Sequence, residues 1–242
     1  MSLKEDMRKE DLVKHIESRF SDRLKNTKSS KNPHKQITEQ DQIKTGTTTV
    51  GITCKDAVIL GTDKRASMQY FVSSKRAKKL HKIQEHLYMT IAGSVADAQN
   101  LVDVLRAETS LYQYEKEKKV RIEAAGKILA NILFQNKMTP YQVGLILGGV
   151  TEKEGAKLLN IGAYGSILPD KYCAVGSGQN FSYGVLEAKY KDDLSIEEGK
   201  NIVIRAVKSS IVRDMASGNG IDIAVVKKDS PAEREFISIK EK

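Results

Sequence analysis

Three consecutive threonines, Thr47-Thr48-Thr49, follow directly on Gly46, at the point where a polar stretch gives way to a β-branched, apolar one. Threonine runs are ordinary strand material, because the branched side chain suits a pleated surface. The glycine in front of them adds chemistry. Its carbonyl is flanked by no side chain, so the Thr47 hydroxyl could attack its own upstream peptide bond. Cleavage there would free an α-amine on the same residue, with a reference pKa of roughly 7.7–8.0. That amine could take the hydroxyl proton, and one residue would supply both nucleophile and base. Other chemistries have weaker signals. Gly176-Ser177-Gly178 lacks the GxSxG spacing of a nucleophile elbow. No GxGxxG or Walker loop follows a strand-like run. The four histidines show no metal-ligand spacing, and Cys54 and Cys173 stand outside any CxxC pair. No metal and no cofactor are expected.

Such a threonine needs a rigid frame. TTTVGIT and AVILGTD read as two strands joined at Lys55-Asp56, and LYMTIAG (87–93) reads as another. Ser94, with Asp97 three residues on, opens a helix whose inner face is expected to carry Ala98, Leu101, Val102, Leu105 and Tyr112. A second helix is expected from about Ile122 to Lys137. VGLILGG (143–149) reads as a buried strand, with short strands around Leu158 and Tyr172. Helices follow from about Asn180 and, behind the capping box Ser195-Ile-Glu-Glu198, toward Asp214. IDIAVV (221–226) and EFISI (235–239) close the chain as strands. Helices grouped between runs of strands suggest antiparallel sheets with helices layered outside, not a βαβ alternation.

Residues 1–46 differ from this body. They hold eleven Lys/Arg and eight Asp/Glu, and Asn26–Lys35 has a linker composition. Leu12, Ile16, Phe20 and Leu24 recur every four residues, an apolar stripe on one side of a helix. The segment reads as an amphipathic cover for some groove or as a removable leader. No run approaches the roughly eighteen apolar residues of a membrane span. The amino terminus lacks the apolar core of a secretory signal, and two lone thiols suit a reducing cytoplasm. A formal net charge of +9 arises from scattered Lys and Arg without interleaved aromatics, so nucleic-acid binding is not expected.

The stretch GTTTVGITCKDAVILGTDKRAS resembles the start of a proteasome β subunit, within the N-terminal nucleophile hydrolases. The resemblance runs from Gly46 to about Val226. It includes AKKLHKI (77–83), MTIAGSVADAQ (89–99), GSGQNFSYGVLE (176–187) and VIRAVKSSIVRDMASGNGIDIAVV (203–226). It is nearest to the archaeal or actinobacterial type. It implies an α+β fold, a four-layer αββα sandwich of two antiparallel sheets flanked by helices, over residues 47–242. Residues 1–46 become a removable leader, longer than archaeal leaders usually are, cut at Gly46-Thr47. The resemblance makes Thr47 the nucleophile and Asp63 with Lys79 the charged pair beside it. A buried lysine needs such a carboxylate to stay charged. Gly93 becomes the oxyanion-hole glycine, and Ser177, Asp214 and Ser217 the polar set that orients the Thr47 amine. Ala66, Ser67, Ile91 and Val95 become the substrate-binding residues, with Ala77 widening an apolar pocket.

By the same resemblance the chain is a threonine endopeptidase subunit of the proteasome core particle. Its partners are proteasome α subunits, other β subunits in heptameric rings, unfolded polypeptide substrates, and a regulatory ATPase acting through the α ring, with no membrane partner. Two alternatives are a related two-ring bacterial-type protease and a ring subunit that is never processed and serves only as scaffold.

Overall fold

The computed structural model describes residues 46–68, 70–228 and 230–239. The stripe of Leu12, Ile16, Phe20 and Leu24, and the leader apart from Gly46, lie outside them. In chain order the elements are β1 (Thr48–Thr53), β2 (Ala57–Asp63), β3 (Ala66–Met68), β4 (Phe71–Ser74), β5 (Leu80–Gln84) and β6 (Leu87–Gly93). Helices α1 (Val95–Lys116) and α2 (Ile122–Gln135) follow, then β7 (Val143–Thr151), β8 (Gly155–Ile161), β9 (Ile167–Asp170) and β10 (Tyr172–Gly176). Helices α3 (Gln179–Lys189) and α4 (Ile196–Arg213) precede β11 (Ile221–Lys227) and β12 (Glu233–Ile237).

Alternation along each strand sends successive side chains into different layers. Ile59 of β2 and Ile223 of β11 pack with Val203, Ala206 and Val207 of α4. Their neighbours Val58, Leu60 and Ala224 face the other way, against Tyr88, Ile146 and Leu158 of a second sheet. On that sheet Met89, Leu145 and Leu147 turn outward onto Leu101 and Leu105 of α1 and Leu129 and Leu133 of α2. Strands buried on both faces read as continuous apolar runs, which is why AVIL and VGLIL show no polar alternation. The sheets are antiparallel, ordered β10-β1-β2-β11-β12 and β5-β6-β7-β8-β9, with a small β3-β4 hairpin beside them. Two sheets face to face with a helix pair on each outer face make the expected four-layer αββα sandwich. Each fully buried Leu or Ile in these layers contributes about 1.5–3 kcal/mol of transfer free energy.

The helix boundaries follow the capping chemistry. Ser94 accepts the Asp97 N–H at 3.4 Å to start α1, and Ser195 with Glu198 forms a complete capping box on α4. Tyr112 is not on the inner face of α1. It is half-exposed, and Thr109, a helical turn earlier, takes the buried place, donating to Leu105 O at 2.7 Å. The last strand starts two residues earlier than EFISI suggests. The hairpin β3-β4, strand β5 and strand β9 have no counterpart in the sequence reading, because they are short and only part-apolar.

Both cysteines are buried and unpaired, and burial pushes the Cys54 thiol up to about 11 and the Cys173 thiol upward as well. Among the described residues no helix is long and apolar enough to cross a membrane, and no group of three or more His, Cys, Asp or Glu could hold a metal ion.

Candidate active site

Thr47 lies at the end of the first sheet, one residue before β1 begins. It is almost wholly buried, and its hydroxyl donates to the Gly46 carbonyl oxygen at 2.7 Å. The nucleophile candidate therefore sits against the peptide group it would attack. Gly46 fits that corner because it lacks a side chain. A Cβ there would lie 1.7 Å from Ala216 Cβ, and the Gly46 N–H donates to Ser67 Oγ at 3.1 Å.

β2, which pairs with β1, ends in Asp63, and Lys79, just before β5 of the second sheet, reaches the Asp63 carboxylate. Asp63 is fully buried, and four donors hold its carboxylate. Oδ1 accepts from Lys79 Nζ at 2.7 Å and from Thr48 N at 2.9 Å. Oδ2 accepts from Arg65 N at 2.9 Å and from Gly218 N at 3.0 Å. The same carboxylate thus ties the lysine to the residue after Thr47. Burial pushes the Lys79 ammonium below its ordinary range, and the adjacent Asp63 carboxylate, with a smaller pull from Asp214, works against that loss.

A second polar chain approaches from the β10-α3 junction and from the end of α4. Thr47 N donates to Ser177 Oγ at 3.2 Å, and Ser177 donates onward to Asp214 Oδ2 at 2.6 Å. Ser217 Oγ donates to the same oxygen at 2.6 Å and meets Thr48 Oγ1 at 2.7 Å. Asp214 is the residue that ends α4, and its Oδ1 accepts Ala216 N at 3.2 Å, folding the turn that carries Ser217 and Gly218. Thr48 and Ala216 belong to this arrangement, and sequence reasoning missed both. Thr48 looked like strand filler, and Ala216 matters only through its contact with Gly46.

Gly93 closes β6 at φ +118°, a left-handed conformation that favours glycine, and a Cβ would lie 2.0 Å from Gln142 O. Opposite it stands Val143, while Ser94 N donates to Gln142 O at 2.8 Å. In an antiparallel ladder these positions alternate, so the Gly93 N–H turns away from β7. It points to the edge where Ile91 N donates to Lys79 O at 3.0 Å, beyond the last rung of β5. That N–H is therefore a backbone donor not used by the β6–β7 ladder.

The substrate-binding candidates separate by exposure. Ser67 is buried against Gly46, Ala66 and Ala77 are partly exposed, and Val95, first residue of α1, is open to solvent. Ile91 is only 3% exposed and belongs to the core cluster that holds Ala98 and Leu101. It can shape the floor of an apolar pocket, not its open wall.

A model of the family described as proteasome subunit matches residues 43–226 of the chain. Over 184 residues the chain is 48% identical to a proteasome subunit beta of Methanothermobacter thermautotrophicus, covering 76% of this chain and 87% of that one. A proteasome subunit beta of Methanocaldococcus jannaschii is 48% identical over 76% of this chain and 83% of its own length. One from Ferroglobus placidus is 42% identical over 82% of this chain and 92% of its own. The two-sheet frame, with its polar corner at Thr47, and a match across three quarters of the sequence lead to one assignment: the chain belongs to the proteasome subunit family, as a β subunit.

Proposed function

We propose that the chain is the precursor of a threonine endopeptidase, and that Thr47 first removes residues 1–46 and then cleaves peptides. The observation that carries this reading is the Thr47 hydroxyl resting 2.7 Å from the Gly46 carbonyl oxygen, beside a buried Lys79–Asp63 pair. In maturation Thr47 Oγ adds to the Gly46 carbonyl carbon. The Gly46–Thr47 C–N bond then breaks, leaving Gly46 as an ester on Thr47 and freeing the Thr47 amine. Water hydrolyses the ester, giving a Gly46 carboxylate and the Thr47 hydroxyl. The freed amine is then placed at Ser177 Oγ, whose proton is held by Asp214.

In peptide hydrolysis that amine takes the Thr47 hydroxyl proton as Oγ attacks the substrate carbonyl. The Lys79 charge offsets the developing alkoxide, and the Gly93 N–H receives the oxyanion. The protonated amine gives its proton to the departing substrate amine, and water resolves the acyl ester. The apolar character of Ala66, Ile91 and Val95 favours substrates with a large apolar residue before the cut. Membership of the family supports assembly with proteasome α subunits and with other β subunits in heptameric rings. Unfolded polypeptides would reach the chamber through an α ring fed by an ATPase, in the cytoplasm. The family match begins at residue 43 and the first strand at Thr48, which supports a folded body that starts close to Thr47.

The decisive measurement is intact mass and amino-terminal sequencing after assembly with the α subunit. A mature chain starting at Thr47 is expected, and Thr47→Ala is expected to stay full length and inactive. A mature terminus at any other residue overturns the reading. The scaffold alternative predicts an unprocessed chain in fully assembled particles.

A further inference from the structure

Asp97 touches none of the groups that would react, yet its side chain closes a small circuit around the turn that carries Gly93. It lies in the first turn of α1, and its Oδ2 accepts the Gln142 N–H at 2.9 Å. Gln142 O in turn accepts the Ser94 N–H at 2.8 Å and lies where a Gly93 side chain would have to go. Ser94 Oγ accepts the Asp97 N–H, which returns the circuit to its start. The backbone at Gln142 is thus held from both sides, its N–H by Asp97 and its C=O by Ser94. Asn100, one turn further along α1, adds a bond from Nδ2 to Tyr141 OH at 3.3 Å.

We propose that Asp97 is a positioning residue for the peptidase reaction, fixing the Gly93–Val95 turn so that the Gly93 N–H points at the developing oxyanion. The inference rests on the function proposed above. Oxyanion stabilisation depends on a donor preorganised to within a fraction of an ångström, whereas ground-state binding tolerates more slack. Loosening the turn should therefore damage the chemical step more than substrate binding. Val95 rides on the same turn, so the pocket wall and the oxyanion donor share one support.

The test uses particles assembled from the full chain and its α subunit, with Asp97→Ala and Asp97→Asn beside the parent. For Asp97→Ala, kcat on an apolar peptide is expected to fall on the order of 10-fold with KM unchanged, as for a slightly misplaced catalytic group. Affinity for a peptide aldehyde, whose adduct carries the tetrahedral oxyanion, is expected to fall in parallel. Asp97→Asn keeps an acceptor oxygen for Gln142 N–H and is expected to recover most of both. Amide exchange at Gly93–Val95 should be faster in Asp97→Ala than in the parent, and this readout needs no activity. Unchanged kcat, unchanged aldehyde affinity or unchanged exchange in Asp97→Ala overturns the inference, and so does a raised KM at constant kcat. Parent particles that cleave no peptide and keep residues 1–46 overturn the proposed function instead, with the exchange measurement still deciding what Asp97 holds.

Discussion

Two opposing influences meet at Lys79. Burial favours the neutral amine, and Asp63 at 2.7 Å favours the ammonium. Its charge therefore depends on a partner fixed by three further backbone donors. Lys79→Arg keeps the charge but replaces a compact ammonium with a broad planar fork. Particles of normal size are expected, with peptide hydrolysis reduced on the order of 100-fold, as when an electrostatic group is moved off its target. Self-cleavage should be impaired too, since the same hydroxyl attacks in both steps. Near-normal hydrolysis by assembled Lys79→Arg particles would reduce Lys79 to a structural ion-pair member. Gly46 makes a different residue-scale case. With Ala216 Cβ 1.7 Å from the position of an added Cβ, Gly46→Ala must displace the segment before Thr47. Release of the leader is expected to slow on the order of 10-fold or more, because a shift of about 1 Å can cost 100-fold. Particles that do mature should cleave peptides at the parental rate, as residue 46 is then gone. Followed by gel, parental release kinetics in Gly46→Ala would contradict the close fit.

At the scale of elements, α2 starts without a side-chain cap from its own N-cap residue, Arg121. The missing acceptor comes from elsewhere. Glu154, in the turn between β7 and β8, accepts the Ile122 N–H at 2.7 Å and the Glu123 N–H at 3.2 Å. A carboxylate at a helix N-terminus also complements the helix dipole. Glu154→Ala is expected to destabilise the protein by about 1–2 kcal/mol, the scale of a lost N-cap. Glu154→Gln, which keeps an acceptor oxygen, should lose less. Urea unfolding of the full chain reads both, and equal midpoints for Glu154→Ala and the parent would show that water replaces the cap at no cost. This capping was not legible in the sequence, because the donor helix and the acceptor lie about thirty residues apart and meet only when α2 packs on its sheet.

For the whole molecule, acid should act through histidines held neutral. Burial, with Lys78 and Arg106 nearby, pulls His81 down to about 4, and its Nε2 lies 3.1 Å from Lys78 O. Burial lowers His86 as well, against the bond of its ring to Val120 O. A histidine whose folded-state pKa is depressed takes up its proton more readily when the chain unfolds. Its contribution to stability is therefore present above about pH 6.5 and is lost as pH falls toward 4. The melting temperature is expected to decline across that window, and less steeply in His81→Gln. A flat profile between pH 7 and 4 would mean that both rings protonate without cost.

Several features could be read before any folding was considered. Gly46-Thr47 at the change from polar to β-branched residues marks the candidate nucleophile, because that chemistry is local to one peptide bond. The layered architecture follows from apolar runs and caps, since period and capping residues act over a few positions. Asp63, Lys79, Gly93, Ser177, Asp214 and Ser217 entered only through resemblance to a family, because nothing local distinguishes them from ordinary strand, turn and cap residues. Tertiary structure alone decided which donors share the Asp63 carboxylate and that Thr48 completes the chain to Asp214. It also decided that Ala216 leaves room only for glycine at position 46, and that Ile91 turns into the core while Val95 faces out. The physical reason is range. Backbone propensity and patterning act within a few residues, whereas a buried charge or a close approach is set by groups from separate strands and turns, from 15 residues apart for Thr48 and Asp63 to 155 for Gly218 and Asp63.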